Sequence, residues 1–283
     1  MKTNRLLTRR QASGLALDAR VAIETQITDA LADTARIPQV PAGWTLDDYI
    51  RRSPWRRYLF GFLGPIRGKV ILDLGCGYHP TPLFFALAGA RRVVACDVSP
   101  KAIAYVERVA AEFGVADRID TLVSPAEHLP CDSDMFDLIH GEAVLHHLHL
   151  EDAGRELERI LKPGGRAGFK DPLGQNPFLE FARDYVHYGW KHPAKGTDRP
   201  LTYAAIERFG QHFQQCTYRG FGVASALAIA LTANRNTRLR GVADCVDRPL
   251  LSALPVLQRL GRFVVTCVVA YDSHRRRAHL ASR

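Results

Sequence analysis

The chain is short of the features that would place a protein outside the cell or within a membrane. Its six cysteines, at 76, 96, 131, 216, 245 and 267, contain no Cys-x-x-Cys pair. Neither a zinc site nor a disulfide framework is expected, and the thiols read as reduced, in a cytoplasmic protein. The longest mainly apolar stretch, Val223 to Ala233, covers 11 residues, against the ~20 that a spanning helix needs. Lys2, Arg5, Arg9 and Arg10 are followed by neither an apolar core nor a small-residue cleavage site, so no secretory leader is expected. Acidic residues are the scarcer charge, 29 Asp plus Glu against 38 Lys plus Arg, for a formal net charge of +9. Much of that surplus sits in arginine-rich stretches such as Arg51, Arg52, Arg56 and Arg57, or Arg275, Arg276 and Arg277, where a solvated face is expected and no nucleic-acid partner. Repeats and low-complexity tracts are absent as well.

What is present is a 283-residue chain with 47% hydrophobic residues, enough for a sizeable core. It is organised around Val70 to Pro80, which reads Val-Ile-Leu-Asp-Leu-Gly-Cys-Gly-Tyr-His-Pro, a buried strand running into a glycine turn. From there short apolar runs alternate with helical patterns. Strands are expected at 70–74, 92–96, 118–123, 136–140 and 166–170, and helices at 81–88, 100–113 (capped by Ser99) and 152–161. Such alternation implies a doubly wound, mostly parallel sheet with its ligand at the carboxyl ends of the strands. Upstream, residues 11–35 and the stretch from Thr45 to Phe62 read as helices, with Pro54 interrupting the second; Trp55, Tyr58, Leu59 and Phe62 are expected to dock on the core. Residues 223–262 read as mostly helical and 263–271 as a late strand.

The glycine turn is not a P-loop, because no Gly-Lys-Ser/Thr follows, and a dinucleotide fingerprint would need glycine where Pro80 stands. A second acid narrows it. Asp97 ends the second strand 20 residues after Gly77, about the separation at which a carboxylate meets ribose hydroxyls on the neighbouring strand. Asp73 adds an anion that would repel a pyrophosphate and attract a sulfonium or an ammonium.

With Val70-Ile-Leu-Asp-Leu-Gly-Cys-Gly77, Val93-Val-Ala-Cys-Asp-Val-Ser99, Ala126-Glu-His-Leu-Pro130, Met135-Phe-Asp-Leu-Ile-His140, Val144-Leu-His-His-Leu148 and Ile160-Leu-Lys-Pro-Gly-Gly165 in order, the chain resembles the class I S-adenosylmethionine-dependent methyltransferases, within them the group acting on small molecules. The resemblance covers about residues 69–171. It implies an α/β, Rossmann-like seven-stranded sheet with N-terminal helices and an inserted helical cap. The implied division is an N-terminal helical lid at 1–68, a cofactor-binding core at 69–171, a substrate cap at 172–262, and a late strand with a basic tail at 263–283.

It further implies that S-adenosyl-L-methionine is held by Asp73, Gly75, Cys76, Gly77, Asp97, Val98, Ala126, Glu127 and Gly141. Two departures stand out: His79 replaces the usual third glycine, and Pro125 an acid. An alcohol acceptor would need a base, and His146, with His147 beside it, follows the fourth strand while Asp171 follows the fifth. In position these resemble the His/Asp pair of sugar O-methyltransferases from natural-product pathways. The expectation is therefore O-methylation of a small molecule in secondary metabolism, with no metal. Transfer to sulfur, nitrogen, carbon or a carboxylate, or a non-catalytic cofactor-binding partner, are the alternatives. The apolar 223–262 stretch is open to cap packing, a homodimer face or a membrane contact.

Overall fold

The computed structural model describes residues 16–34, 43–176, 200–226 and 253–273, together with 242–243, 246–247 and 249–251. The elements in order are α1 (Leu17–Thr34), α2 (Leu46–Arg51), α3 (Pro54–Leu63), β1 (Val70–Leu74), α4 (Thr81–Leu87), β2 (Arg92–Asp97), α5 (Pro100–Glu112), β3 (Ile119–Val123), β4 (Phe136–Glu142), α6 (Leu150–Ile160), β5 (Leu161–Pro172), α7 (Tyr203–Gly210), β6 (Gln215–Phe221) and β7 (Phe263–Val269). Short 3-10 turns lie at Ala116–Arg118, Leu145–His147 and Pro255–Leu260.

The strands form one sheet in the order β3-β2-β1-β4-β5-β7-β6. Pairings from β3 to β5 are parallel, and β7 runs antiparallel between β5 and β6. Strand order reverses direction between β1 and β4, the point at which open α/β sheets leave a crevice. Period-two alternation sends Ile71, Val93, Leu138 and Val265 to the core under α2 to α5, and Val70, Leu72, Ile139, Ala167 and Val264 to the core under α6 and α7.

Local chemistry sets the ends of the helices. Thr45 and Asp48 form a reciprocal capping box at α2. Ser53 is the N-cap of α3, with Pro54 pre-set for its first turn, and the Ser99 hydroxyl accepts from Ala102 N–H at the start of α5. Trp55 and Leu59 are buried, as their spacing predicts. Helix α3 lies close to β5: a β-carbon on Gly168 would stand 2.3 Å from Leu59 Cδ1.

Two sequence expectations are corrected. The 172–262 range is not only a cap, since α7 and the edge strand β6 lie within it and β6 completes the sheet beside β7. The strand is short, Gln215 to Phe221, and lies at the sheet edge, where it pairs with β7 alone. The fifth strand is also longer than expected, starting at Leu161 with a register irregularity between Phe136 and Leu138. Most of the remaining cap, including Tyr185, Tyr188 and Trp190, lies outside the described residues.

Candidate active site

A cavity of about 480 Å³ opens over the carboxyl ends of β1, β2 and β4. Its floor is the turn after β1. Gly75 and Gly77 have φ of +63° and +48°, backbone conformations that cost a side chain ~1–2 kcal/mol each. A β-carbon on Gly75 would meet Val144 Cγ2 at 2.8 Å, and one on Gly141 would meet Val144 Cγ1 at 2.7 Å. Val144 therefore fits into both glycine hollows and locks the turn to the end of β4.

Asp97, at the end of β2, lines the cavity. Its Oδ2 accepts from Gly77 N–H at 2.9 Å and its Oδ1 from Ser99 N–H at 2.9 Å, so the carboxylate is fixed at the cavity edge. Burial raises its pKa, the backbone donors opposing; further hydroxyl donors would relieve that desolvation. Val98, Ala126 and Glu127 also line the cavity, an apolar flank with one acceptor.

Three of the expected cofactor residues are placed elsewhere. Asp73 is buried and pairs through Oδ1 with His140 Nδ1, beneath Phe60 and Phe85; alternation along β1 points it to the helix face. Cys76 is buried in the same core, where burial pushes its thiol well above the ordinary range, and its N–H donates to Cys96 carbonyl. Gly141 backs the cavity by admitting Val144 and Phe169 and does not line it.

The roof is α1. Arg20 donates to Glu127 Oε1 at 2.5 Å and to His147 carbonyl at 3.0 Å. Thr25 donates to Val98 carbonyl at 3.1 Å, Glu24 pairs with His147 Nδ1 at 3.1 Å, and Asp29 accepts from the Ser99 hydroxyl. Each of these partners stands on a loop that follows a strand, so α1 ties the loops after β2, β3 and β4 together.

On the far wall, Asp171 Oδ1 lies 2.8 Å from His146 Nδ1 and accepts from His146 N–H at 3.2 Å. Asp171 is 1% exposed, its Oδ2 buried without a partner among the described residues. His146 lines the cavity, its ring 3.9 Å from that of His147. His79 and Glu142 also line the cavity. Glu142 accepts from Tyr49 O–H at 3.2 Å and pairs with Lys170 at 3.4 Å. Burial pushes Glu142 up, but Lys170, His79, Arg56 and His140 together hold it below its usual range. The next residue, Ala143, has φ +60° and is held by its N–H donating to Lys170 carbonyl at 2.7 Å.

Arg20, Glu24, Glu142 and Ala143 are the residues that sequence reasoning missed. The acid in His140-Gly-Glu-Ala143, placed just after a predicted strand, was the available signal for Glu142; nothing local marked Arg20. Asn176 donates to Leu260 carbonyl at 2.7 Å, a structural tie.

A doubly wound sheet with a glycine turn and a fixed acid at its switch point places this cavity where open α/β sheets bind their ligands. Residues 72–169 match the family model described as a methyltransferase domain. Methyltransferase GfsG of Streptomyces halstedii is 33% identical over 106 residues, 37% of this chain and 38% of that protein. Protein arginine N-methyltransferase 6 of Danio rerio is 34% identical over 122 residues, 42% of this chain and 34% of that protein. The geranyl diphosphate C-methyltransferase of Streptomyces coelicolor A3(2), whose crystal structure holds S-adenosyl-L-homocysteine, shares the fold with a TM-score of 0.51 at 15% identity, covering 76% of this chain and 77% of that one. The chain spans 28%, 38% and 34% of the first three curated relatives it matches. Residues 72–169 are thus similar to a methyltransferase domain, and the chain shares the fold of the geranyl diphosphate C-methyltransferase.

Proposed function

We propose that the chain methylates an oxygen of a small acceptor, with His146 as the base and Asp171 as its orienting group. The observation that carries this is the 2.8 Å contact between Asp171 Oδ1 and His146 Nδ1 at the cavity wall. S-adenosylmethionine, when bound, would supply an electrophilic methyl group on a sulfonium with a neutral thioether as the leaving group. Gly75, Gly77, Asp97, Val98, Ala126 and Glu127 would hold it, and the glycine turn lining the cavity and the fixed Asp97 carboxylate fit that group.

Held by Asp171, Nδ1 keeps its proton and leaves the lone pair on Nε2. As the acceptor oxygen forms its bond to the methyl carbon, its proton passes to Nε2, and the Asp171 carboxylate stabilises the imidazolium that results. Alignment of the acceptor with the methyl group supplies the remaining advantage. The described cysteines are free thiols, which supports a cytoplasmic setting, and the acceptor is read as a secondary metabolite.

Radiolabelled S-adenosylmethionine incubated with the full chain and small-molecule extracts would reveal the acceptor as a labelled product. His146→Ala and Asp171→Asn should each lower turnover ~10²- to 10⁴-fold with S-adenosylhomocysteine affinity unchanged. Full turnover in His146→Ala would refute the base and favour an acceptor that ionises unaided.

A further inference from the structure

Four cations crowd the carboxyl ends of β5 and β6 and the start of β7, on the face covered by α2 and α3, and the methyl-transfer chemistry leaves them unused. Lys170 Nζ lies 5.5 Å from the Trp55 ring centroid and 5.4 Å from that of Phe263. The Arg262 guanidinium stands 5.3 Å over Phe263. Arg56 stacks 4.7 Å over Trp55 and 3.8 Å over Tyr49, and Arg219 lies 5.5 Å over Phe221 and 5.7 Å over Tyr58. The rings touch one another: Trp55 and Phe263 at 6.1 Å, Phe221 and Phe263 at 6.0 Å. Register puts Phe263 opposite both Pro172 and Phe221, so the cluster occupies the last rung of the sheet at its ligand-binding end.

Among the described residues, Glu142 pairs with Lys170 at 3.4 Å. Arg56 and Arg219 have neither an ion pair nor a hydrogen bond there, and the Nε of each is buried without a partner. That arrangement is expensive. Like charges repel across the low-dielectric ring surface, and enclosed N–H donors have lost water without replacement. An arginine that merely lays its stem over an aromatic ring keeps its head in water; these two are half-buried with Nε enclosed. The group that offsets both costs is an oxyanion, whose oxygens match the guanidinium fork.

The cluster also adjoins the cavity. Glu142 lines it and touches Lys170, and Tyr49, beneath Arg56, donates to Glu142. We propose that Arg56 and Arg219, with Lys170 beside them, bind an oxyanion, a carboxylate or a phosphate, carried by the methyl acceptor. This rests on the methyltransferase reading and narrows its substrates to anionic ones. Glu142, neutralised by Lys170 and Tyr49, would separate the anion from the reacting centre.

The test is calorimetry on the full chain, titrating inorganic pyrophosphate and, separately, citrate at fixed ionic strength, with and without S-adenosylhomocysteine. One-site, saturable binding of at least one probe is expected, weakened 10-fold or more in Arg219→Gln and Arg56→Gln and partly restored in Arg219→Lys, with S-adenosylhomocysteine affinity unchanged. The stronger probe tells phosphate from carboxylate. No saturable binding of either probe by the wild-type chain overturns the proposal, whatever the variants do; so does equal affinity in the two glutamine variants. Anion binding by a chain that fails to bind S-adenosylhomocysteine would sink the methyltransferase reading and leave the anion site standing.

Discussion

Replacing Gly75 by alanine should cripple the cofactor site through two separable costs. The first is conformational: at φ +63° an alanine sits in the left-handed region at ~1–2 kcal/mol. The second is steric: its β-carbon would stand 2.8 Å from Val144 Cγ2 and 3.0 Å from Val144 Cβ, and the clash involves the base of a short, buried side chain that cannot swing away. Overpacking of this kind costs ~1–3 kcal/mol. If the turn holds its shape, the sum appears as lost stability. If it distorts instead, the sum appears as lost affinity, at tenfold per ~1.4 kcal/mol. Calorimetry with S-adenosylhomocysteine and denaturant unfolding therefore have to be run together. Val144→Ala should remove the steric part only, so the double variant is expected to recover ~1–3 kcal/mol relative to additivity. A Gly75→Ala chain with wild-type affinity and wild-type unfolding midpoint would refute the geometry of the turn.

Arg20→Ala removes the donor to Glu127 and to His147 carbonyl. A partly buried charge-assisted bond is worth ~1.5–3 kcal/mol, so S-adenosylhomocysteine should dissociate roughly tenfold faster and α1 should become protease-sensitive; an unchanged dissociation rate would show that α1 does not retain the cofactor. Glu142 supplies a pH dependence whose sign is fixed. Its carboxyl is held below its ordinary 4.5, against burial, by Lys170, His79, Arg56 and His140, so the unfolded chain binds the proton more readily than the folded one. Its contribution is present above that value and is lost as pH falls through the folded value. Unfolding midpoints followed from about pH 5 to about pH 3 should fall less steeply in Glu142→Gln; Asp137 and Glu156, also lowered, keep part of the slope. Equal slopes would remove Glu142 from the charged network.

The parts of the fold visible in the sequence were those whose information is local. Val70 to Leu74 announced itself because both faces of a central parallel strand are buried, and Thr45 with Asp48, or Ser99, announced helix starts because capping is a contact between near neighbours. Gly75, Gly77 and Asp97 were legible as a site because turn and acid keep a characteristic separation. Asp73 was misplaced for a reason that is not local. Its partner His140 lies 67 positions away, and the one fact that directs it there, the register of β1 on β4, is tertiary. Arg20 belongs to the same class: an arginine on a weakly amphipathic helix acquires a role only when Glu127, 107 positions on, is folded beneath it. Strand β6 escaped because it is a short edge strand whose place is set by its pairing with β7, a tertiary fact.

Alternation along β4 and β5 decides how the two halves of the site face each other. Glu142 and Lys170 are register partners and turn toward α2 and α3, whereas Asp171, one residue on, turns to the opposite face and meets His146. The His146–Asp171 pair on one side and the Glu142–Lys170 pair on the other require the chain after β4 to reverse face within a few residues, and Ala143 does so at φ +60°. Its N–H, donated to Lys170 carbonyl at 2.7 Å, offsets that strain. The same turn seats Val144 in the hollows of Gly75 and Gly141, so the cofactor turn, the Glu142–Lys170 pair and the His146–Asp171 pair are positioned by one backbone feature. Displacing it should therefore disturb all three together, which separates a single built site from three neighbouring coincidences.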